Sequence, residues 1–449
     1  MGTVTSRKTP LEAWIAGRIG CDMAGVTREK IDCYQLQRLQ ETIRLAYHGS
    51  PFYRRLWNGC VEPELACPAD LRRFPFTTAE DIRRQGLQFL CVSQGDISRV
   101  VTLATSGTTG AAKRLYFTPA DQERTIDFFQ YGMAAFTEAG DRVLILLPGE
   151  RTGSVGNLLA IALTRLGAVP VPHGVVRSLP DALAVLTAQK IDSLVGIPSQ
   201  VLALARYAEV AKKAFHLKNV LLSTDHVPRA IVSELKKAWD CDVFEHYGMT
   251  EMGLGGGTDC AAHSGYHLHE ADFYFEIVDP LTGEVLPPGQ EGEVVITTLT
   301  RQGMPLIRYR TGDISRLLVE PCGCGSILKR LAPITERIDG RISLNGNRYF
   351  TLADLDEVLF AVDGVINYTA AVDNIRKTTK LTIAVWTVGR PDNCVEYEIY
   401  KALDAVPAIG LARQAGMLTA VVKPACCEGL LAPSTAKRVI TELNEADGK

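Results

Sequence analysis

The fold of this chain is decided by residues 142–172, which read RVLILLPGERTGSVGNLLAIALTRLGAVPVP. An apolar run of strand length, Val143 to Leu147, ends at Pro148-Gly149, and a helical pattern from Leu158 to Leu166 follows. A second short strand-like run, Val169 to Val171, comes next. Strands that alternate with helices along a chain predict a largely parallel sheet with helices on its faces.

The same alternation continues on the C-terminal side of this stretch. Helical patterns cover Ser178–Gln189 and Ser199–Ala211, whereas strand patterns cover Ile191–Gly196 and Asn219–Leu222. Periodicity of this kind separates the two element types. We therefore expect an α/β fold with mostly parallel sheets.

The pattern changes after Glu270, where short strands such as Tyr274–Val278 and Glu293–Thr297 are joined by Pro- and Gly-containing turns. Past Arg337 the sequence predicts a smaller unit that mixes strands and helices and ends in a helix from about Thr435 to Asn444. A chain of 449 residues is too long for one ordinary core, so at least two domains are expected.

Composition narrows the classes of protein. The 48 Lys and Arg residues nearly balance the 51 Asp and Glu residues, which argues against a nucleic-acid surface. No apolar stretch has the length of a membrane span, so we expect no membrane partner. Twelve cysteines in a chain with a polar N-terminus favour reduced thiols, with room for one metal site, and hence predict a cytoplasmic location. The oligomeric state stays open, with a homodimer among the options.

Residues 105–113, Thr-Ser-Gly-Thr-Thr-Gly-Ala-Ala-Lys, follow a strand-like stretch from Ser98 to Ala104. Glycines allow backbone N–H groups to approach an anion, hydroxyls add donors, and Lys113 adds a positive charge. The order differs from the Gly-x-x-x-x-Gly-Lys-Ser/Thr of a Walker loop. The stretch is either a phosphate-binding loop of another geometry or a solvated turn.

Three later stretches supply complementary groups. His246–Gly253, HYGMTEMG, offers an aromatic face, a hydroxyl and a carboxylate, which suit adenine, phosphate and Mg²⁺. Arg308–Asp313 is expected to be a turn whose acid accepts hydrogen bonds from two ribose hydroxyls. Arg337–Arg341 is polar, contains a glycine and could serve as a hinge. Taken singly, each of these residues could equally be a packing or surface residue.

Taken in order, the TSGTTG, YGMTE, YRTGD and RIDGR motifs resemble those of the adenylate-forming acyl-CoA synthetase superfamily. The closer similarity, to the phenylacetate–CoA ligase family, rests on Ser106–Gly110, on Met304–Thr311 and on the Cys-Gly-Cys-Gly stretch that begins at Cys322. The resemblance implies a large adenylation domain of several subdomains (residues 1–336) that binds ATP and the acid. It also implies a small, mobile α+β lid domain (residues 337–449).

The resemblance further implies the ligands: ATP, Mg²⁺, a small carboxylic acid, and coenzyme A as co-substrate. Lys113 and the loop would contact the β- and γ-phosphates, Thr250 the α-phosphate, and Glu251 the magnesium ion. Tyr247 would pack against adenine and Asp313 would hold the ribose. The full implied ATP- and AMP-binding set is Thr105, Ser106, Gly107, Thr108, Thr109, Gly110, Lys113, Ser223, Thr224, Asp225, Tyr247, Gly248, Thr250, Asp313 and Arg337.

The chain departs from the family pattern at three places. Ser223-Thr224-Asp225 stands where the family usually has Gly-Ala/Gly-Glu, which leaves the contacts to the adenine edge open. Asp339, the implied hinge residue, is followed by Gly340 instead of a second acid. Ala436 replaces a glycine before Lys437, the implied catalytic lysine that acts with Thr250 and Glu251. A solvated helix lysine is the alternative for Lys437.

A structural zinc site is expected from Cys260, His267, Cys322 and Cys324, because three thiolates and one imidazole complete a tetrahedral set. His263 and His269 compete for the imidazole position. His267 is preferred because Gly265-Tyr266-His267 matches a Gly-x-His pattern in the resembling family.

The resemblance implies an AMP-forming ATP-dependent acid–thiol ligase that makes an acyl-adenylate and then an acyl-CoA thioester, from an aryl or arylacetic acid. An adenylating enzyme that loads a carrier protein or stops at the adenylate is one alternative. A catalytically silent nucleotide-binding homologue is another. Phe128, Phe129 and Tyr131 could line an apolar acid pocket or could be core.

Overall fold

The computed structural model describes residues 8–58, 64–103, 112–334, 336–344, 348–375, 378–389, 392–426 and 438–443. Thr105–Gly110 of the expected phosphate loop and Lys437 lie outside the described residues.

Helices and strands alternate through much of the chain. The helices are α1 (Pro10–Ile19), α2 (Arg28–Gly49), α3 (Pro51–Leu56), α4 (Ala79–Gln85), α5 (Pro119–Met133), α6 (Val155–Leu166), α7 (Leu179–Ala188), α8 (Pro198–Val210), α9 (Arg229–Trp239), α10 (Leu352–Leu359), α11 (Asp392–Asp404) and α12 (Pro407–Gln414). The strands are β1 (Arg99–Leu103), β2 (Lys113–Phe117), β3 (Arg142–Leu146), β4 (Val169–Pro172), β5 (Ser193–Gly196), β6 (Asn219–Leu222), β7 (Asp242–Tyr247), β8 (Gly257–Thr258), β9 (Tyr266–Leu268), β10 (Phe273–Val278), β11 (Gly292–Thr298), β12 (Tyr309–Ser315), β13 (Arg330–Leu331), β14 (Glu336–Arg337), β15 (Ile342–Leu344), β16 (Arg348–Phe350), β17 (Val365–Ile375), β18 (Thr378–Thr387), β19 (Leu418–Cys426) and β20 (Ile440–Leu443).

The chain forms two compact units. The first comprises Met1–Ala139, Arg151–Gly167 and His246–Thr335, and the second comprises Gly140–Glu150, Ala168–Glu245 and Glu336–Lys449. The expected division at residue 336 into an adenylation domain and a lid stays a prediction.

In the second unit, strands β4, β3, β5, β6 and β7 form a parallel sheet in that order. Val143 to Leu146 of β3 and Leu194 and Val195 of β5 are almost completely buried. Continuous apolar runs of this kind are typical of central parallel strands covered on both faces. The expected α/β class with a mostly parallel sheet is confirmed.

The second unit also contains a mixed sheet from the C-terminal part of the chain, in the order β19-β18-β17-β20. Helix α8 packs against β17, and the buried Arg206 of α8 donates hydrogen bonds to the carbonyls of Phe360, Val362 and Val365. One hydrophobic core therefore joins α8 to this sheet.

In the first unit, β10, β11 and β12 form an antiparallel sheet, and β1 pairs with β2. The last residues of β7 continue into this unit, where His246 pairs with Thr258 of β8, and β8 pairs with β9. Helices α2 and α3 contribute to the core of this unit together with β10 and β11.

Two local expectations are wrong. The C-terminal stretch does not form a helix at residues 440–443, because Ile440–Leu443 forms β20 and pairs in parallel with Ala370–Asp373 of β17. The β-branched pair Ile440-Thr441 suits that sheet edge, and tertiary pairing overrides a helical pattern. Arg308–Asp313 is not a free turn, since Tyr309–Ser315 is a strand interrupted by a bulge.

Among the described residues, every helix is too short or too polar to cross a membrane. The cytoplasmic location stays a prediction.

Candidate active site

Glu251 is the centre of the candidate site in the first unit. Its side chain is almost fully buried, and its Oε1 atom contacts the ammonium group of Lys113 and accepts a 2.9 Å hydrogen bond from the hydroxyl of Tyr309. The Lys113 Nζ atom also lies 3.5 Å from the Tyr309 hydroxyl. Two residues that the sequence assigned to phosphate and metal binding are thus brought together.

The electrostatics keep Glu251 anionic. Burial alone would raise the pKa of a carboxyl group, because a dry environment disfavours charge. The charge of Lys113 and its hydrogen bond outweigh burial, so the pKa of Glu251 lies below its ordinary value. A buried carboxylate that stays ionised is a suitable ligand for a hard cation such as Mg²⁺.

The backbone around Glu251 is held on both sides. On the N-terminal side, the backbone of Gly248 packs closely against Leu254. A Cβ atom at position 248 would lie only 2.3 Å from the carbonyl oxygen of Leu254. Thr250 begins a short helical turn that ends at Met252, and the half-buried Thr250 carbonyl accepts the N–H of Gly253. The buried Arg301 donates a 2.5 Å hydrogen bond to the carbonyl of Glu251. Only a glycine fits at position 248.

Tyr247 and Asp313 form a second pair in the same unit. The Tyr247 hydroxyl donates a 3.0 Å hydrogen bond to Oδ2 of Asp313, and the Tyr247 ring lies almost parallel to that of Tyr266 at 6.0 Å. Asp313 follows Gly312, which has a φ of +77°, in the stretch where the register of β12 against β11 shifts. β-Bulges commonly redirect a side chain next to a functional site.

Other expected site residues lie in the second unit. The N–H of Ser223, directly after β6, donates a hydrogen bond to the carbonyl of Gly196, the last residue of β5, and Asp225 is half-buried. Thr224 has a φ of +78°, which is a strained conformation for a β-branched residue. Arg337 lies in β14, and its Nε donates a 3.2 Å hydrogen bond to the exposed Asp339.

The four expected zinc ligands converge in the first unit. The ligand atoms of Cys260, His267, Cys322 and Cys324 all lie within 4.8 Å of one another, and all four residues are buried. The Sγ atoms of Cys260 and Cys322 are 3.7 Å apart, and Sγ of Cys324 is 3.4 Å from Nε2 of His267. Hydrogen bonds from Cys260 and His267 lower the pKa of Cys324 despite its burial, which favours the thiolate.

The two competing histidines are engaged elsewhere. Nδ1 of His263 lies 2.6 Å from Oδ2 of Asp259, whereas His269 stacks on Trp14 with ring centroids 4.1 Å apart. His267 is carried into the cluster by β9, which begins after Gly265 with a φ of +93°.

The three aromatic residues of α5 are mainly packing residues. Phe129 is buried, and Tyr131 stacks on Trp14 at 5.4 Å. Phe128 packs against His269 at 4.8 Å and lines a cavity of about 30 Å³, which is room for about one water molecule. These contacts favour the core alternative over an acid pocket.

Sequence reasoning missed the roles of Tyr309 and Arg301 in holding Glu251. Tyr309 is the first residue of the YRTGD motif, so the motif that predicted Asp313 also contained a signal for Tyr309. Arg301 lies outside every motif, and only its burial beside Glu251 identifies it.

Known proteins resemble this chain in sequence and in fold. A family model described as AMP-binding enzyme matches residues 98–300. The chain is 32% identical over 334 residues to the phenylacetate–coenzyme A ligase of Aromatoleum evansii, which covers 72% of this chain and 74% of that protein. It is 31% identical over 359 residues to the phenylacetate–coenzyme A ligase of Thermus thermophilus, which covers 77% of this chain and 78% of that protein.

Among solved structures, the fold is similar to that of 2-hydroxyisobutyryl-CoA ligase in its postadenylation state in complex with R3-HIB-AMP. The TM-score is 0.75 and the identity is 22%, with 91% of this chain and 89% of that chain covered. An identity this low supports the fold alone, whereas the identities above 30% over most of both sequences establish kinship. The chain belongs to the phenylacetate–coenzyme A ligase family of adenylate-forming enzymes.

Proposed function

We propose that the acid used by this ATP-dependent acid–thiol ligase is an aryl or arylacetic acid. The enzyme forms an acyl-adenylate with release of pyrophosphate and then transfers the acyl group to coenzyme A. The substrate class is supported by the two relatives described above, both named phenylacetate–coenzyme A ligase. The single observation that carries the site is the buried Lys113–Glu251 pair beside Tyr309.

Adenylation brings several negative charges together, so the site must supply positive charge and N–H donors. Bound Mg²⁺ would neutralise charge on the phosphates, and the anionic Glu251 would hold it. Lys113 would exchange its contact with Glu251 for the β- and γ-phosphates, together with the backbone and hydroxyls of Thr105, Ser106, Gly107, Thr108, Thr109 and Gly110. Thr250 would contact the α-phosphate.

The nucleoside would be bound by the Tyr247–Asp313 pair. The Tyr247 ring would pack against adenine, and the Asp313 carboxylate would accept hydrogen bonds from the ribose hydroxyls. Their mutual 3.0 Å hydrogen bond supports this assignment, because it orients both groups before the nucleotide arrives. Gly248, which belongs to the same unit, would allow the backbone to approach the nucleotide closely. Roles for Ser223, Thr224 and Arg337 in nucleotide binding remain predictions from the family resemblance.

Lys437 would stabilise the charge that develops on the carboxylate and α-phosphate during the first half-reaction. The lid domain that carries it, residues 337–449, would turn about Asp339 between the two half-reactions. Gly340 supports such a hinge, since glycine allows a wide range of backbone angles.

A structural zinc ion is the second part of the proposal. Zinc bonds of about 2.3 Å to sulfur and 2.0–2.1 Å to nitrogen give a tetrahedron whose edges are about 3.6–3.8 Å long. The separations of 3.7 Å and 3.4 Å between ligand atoms fit this size. A bound Zn²⁺ would link the turn that carries Cys322 and Cys324 to the neighbourhood of β8 and β9.

Metal analysis tests this part. Protein prepared without chelator should hold about one zinc per chain, and Cys322→Ala should lose the metal and lower the Tm. Cys241→Ala is a matched control, because Cys241 is buried but outside the cluster. Folded, chelator-free protein without zinc would contradict the site.

The function is tested by pyrophosphate release with phenylacetate, benzoate and a short aliphatic acid, each with and without coenzyme A. We expect release and thioester formation with an aromatic acid. If the aliphatic acid is a substrate and neither aromatic acid is, the proposed substrate class is wrong. Release that yields no thioester would point to a different acceptor or to an enzyme that stops at the adenylate.

A further inference from the structure

Arg438 is held by two aspartates that are far apart in the sequence. Its Nη2 donates a 2.7 Å hydrogen bond to Oδ2 of Asp356, and its Nε donates a 3.0 Å hydrogen bond to Oδ2 of Asp225. All three residues belong to the second unit. The Arg438 side chain is only 14% exposed, so both ion pairs are shielded from water.

The pair with Asp356 is internal to the C-terminal part of the chain. Asp356 on α10 is fully buried and also accepts a hydrogen bond from the Tyr368 hydroxyl. The guanidinium lies over the rings of Phe360 and Tyr368, at 5.0 and 5.3 Å from their centroids. Every one of these partners lies beyond residue 336, so this half of the arrangement is a local anchor.

The ion pair with Asp225 connects two distant parts of the chain, because Asp225 belongs to the loop after β6 and precedes residue 336. That loop includes Thr224 in a strained conformation with φ +78°. Strain of this type persists where surrounding contacts over-determine the backbone, and it is concentrated at functional sites. The other oxygen of Asp225 accepts the N–H of His226, so both carboxylate oxygens are engaged.

We propose that Arg438 is a positioning residue that ties the chain next to Lys437 to the 223–225 loop during acyl-adenylate formation. The inference rests on the proposed role of Lys437. Arg438 directly follows Lys437, so fixing Arg438 restricts where the chain around the lysine can lie. Asp225 then acts as the docking point for the lid and not as a contact to the adenine edge.

The two ion pairs should behave differently when the lid turns. Arg438, Asp356 and Tyr368 move together, so their contacts persist. On the proposed turn about Asp339, the contact to Asp225 breaks together with the hydrogen bonds of Arg206 to Phe360, Val362 and Val365, because Asp225 and Arg206 both precede the hinge. Asp225 is therefore needed for the first half-reaction and dispensable in the second.

The decisive variant is Asp225→Asn, which keeps the shape of the side chain and removes its charge. We expect acid-dependent pyrophosphate release at saturating ATP to fall about tenfold or more, with the KM for ATP little changed. Transfer to coenzyme A from chemically made acyl-adenylate should change less than about twofold. A direct adenine contact would instead raise the KM for ATP, and that result would overturn the proposal.

A matched control is Asp404→Asn. Asp404 accepts a 2.6 Å hydrogen bond from Arg413, whose guanidinium lies over Tyr400, but both partners belong to the C-terminal part. The control should leave the ratio of the two half-reaction rates unchanged. Asp225→Asn combined with Arg438→Lys should be no slower than the slower single variant, because coupled residues act as a unit.

The outcomes separate the inference from the function on which it rests. Wild-type protein without acid-dependent pyrophosphate release would remove the proposed function. Active wild-type protein, with equal losses or no loss in both half-reactions for Asp225→Asn, would reject the inference and leave the function intact. Rates that add independently in the double variant would also reject it.

Discussion

Glu251 in the first unit and Asp356 in the second are buried carboxylates with similar partners. Each contacts one cation and accepts a hydrogen bond from one tyrosine hydroxyl, from Lys113 and Tyr309 or from Arg438 and Tyr368. Their pKa values nevertheless shift in opposite directions.

The balance of burial against charge explains the difference. For Glu251, Lys113 outweighs burial and the pKa falls. For Asp356, burial dominates and the negative charge of Asp225 adds to it, so the pKa rises although Arg438 and Tyr368 oppose this. A shared cation is less effective, because Arg438 serves two acids. The comparison separates a carboxylate that stays charged beside Lys113 from one that binds Arg438 within the C-terminal part of the chain.

The largest effect is expected from Glu251→Gln. Removing the metal-binding charge should slow acid-dependent pyrophosphate release by on the order of a hundred-fold or more, the scale for losing one charge-stabilising group. Steady-state release at saturating ATP measures it, and circular dichroism checks the fold. Wild-type turnover would remove Glu251 from the site and erase the contrast with Asp356.

Asp356→Ala should act on stability instead. It leaves the buried guanidinium of Arg438 without its main partner, which costs about 3–5 kcal/mol for a broken buried pair. Thermal and urea denaturation should show the loss. If Asp356→Ala is as stable as the wild type, the anchor role is wrong.

Removing the tyrosine hydroxyls tests the hydrogen bond that each buried carboxylate accepts, from Tyr309 at Glu251 and from Tyr368 at Asp356. Tyr309→Phe and Tyr368→Phe should each destabilise the protein by about 1.5–3 kcal/mol, the usual range for a hydrogen bond to a charged group. Tyr309→Phe should also slow adenylation, whereas Tyr368→Phe should leave the rate at low temperature nearly unchanged. If both variants slow adenylation equally, the proposed difference in role between Glu251 and Asp356 is wrong.

The smallest expected effect is on the pH dependence of stability, which should have opposite signs for Glu251 and Asp356. The folded pKa of Glu251 lies below 4.5, so its stabilisation is full above pH 4.5 and is lost as pH falls through the folded value. The Tm advantage of wild type over Glu251→Gln should shrink from about pH 6 to about pH 3.5.

For Asp356 the folded pKa lies above 3.8, so stability is lost as pH rises from there through the folded value. As pH rises, the Tm of the wild type should therefore fall relative to the Tm of Asp356→Asn. Parallel trends for the two variants would contradict the assigned directions.

Much of the first unit's site was predictable from local motifs. Glycines and acids in fixed order predicted Glu251 and Asp313 as site residues, and the Gly-x-His pattern selected His267, which lies in the cysteine cluster, from three histidines. The partners of these residues were harder to predict, because Arg301 and Arg438 carry no motif. In the sequence Arg438 is only the neighbour of Lys437, and the ion pairs with Asp225 and Asp356 become visible only in the folded chain.

The sequence by itself determined the α/β class, since buried strands such as β3 must be apolar throughout. It also determined the family, through short motifs whose spacing is local. Only the tertiary structure decided that Ile440–Leu443 is a strand, because a partner edge on β17 has no local signature. The pairing of Lys113 with Glu251, 138 residues apart, and of Arg438 with Asp225, 213 residues apart, likewise depends on how distant segments pack.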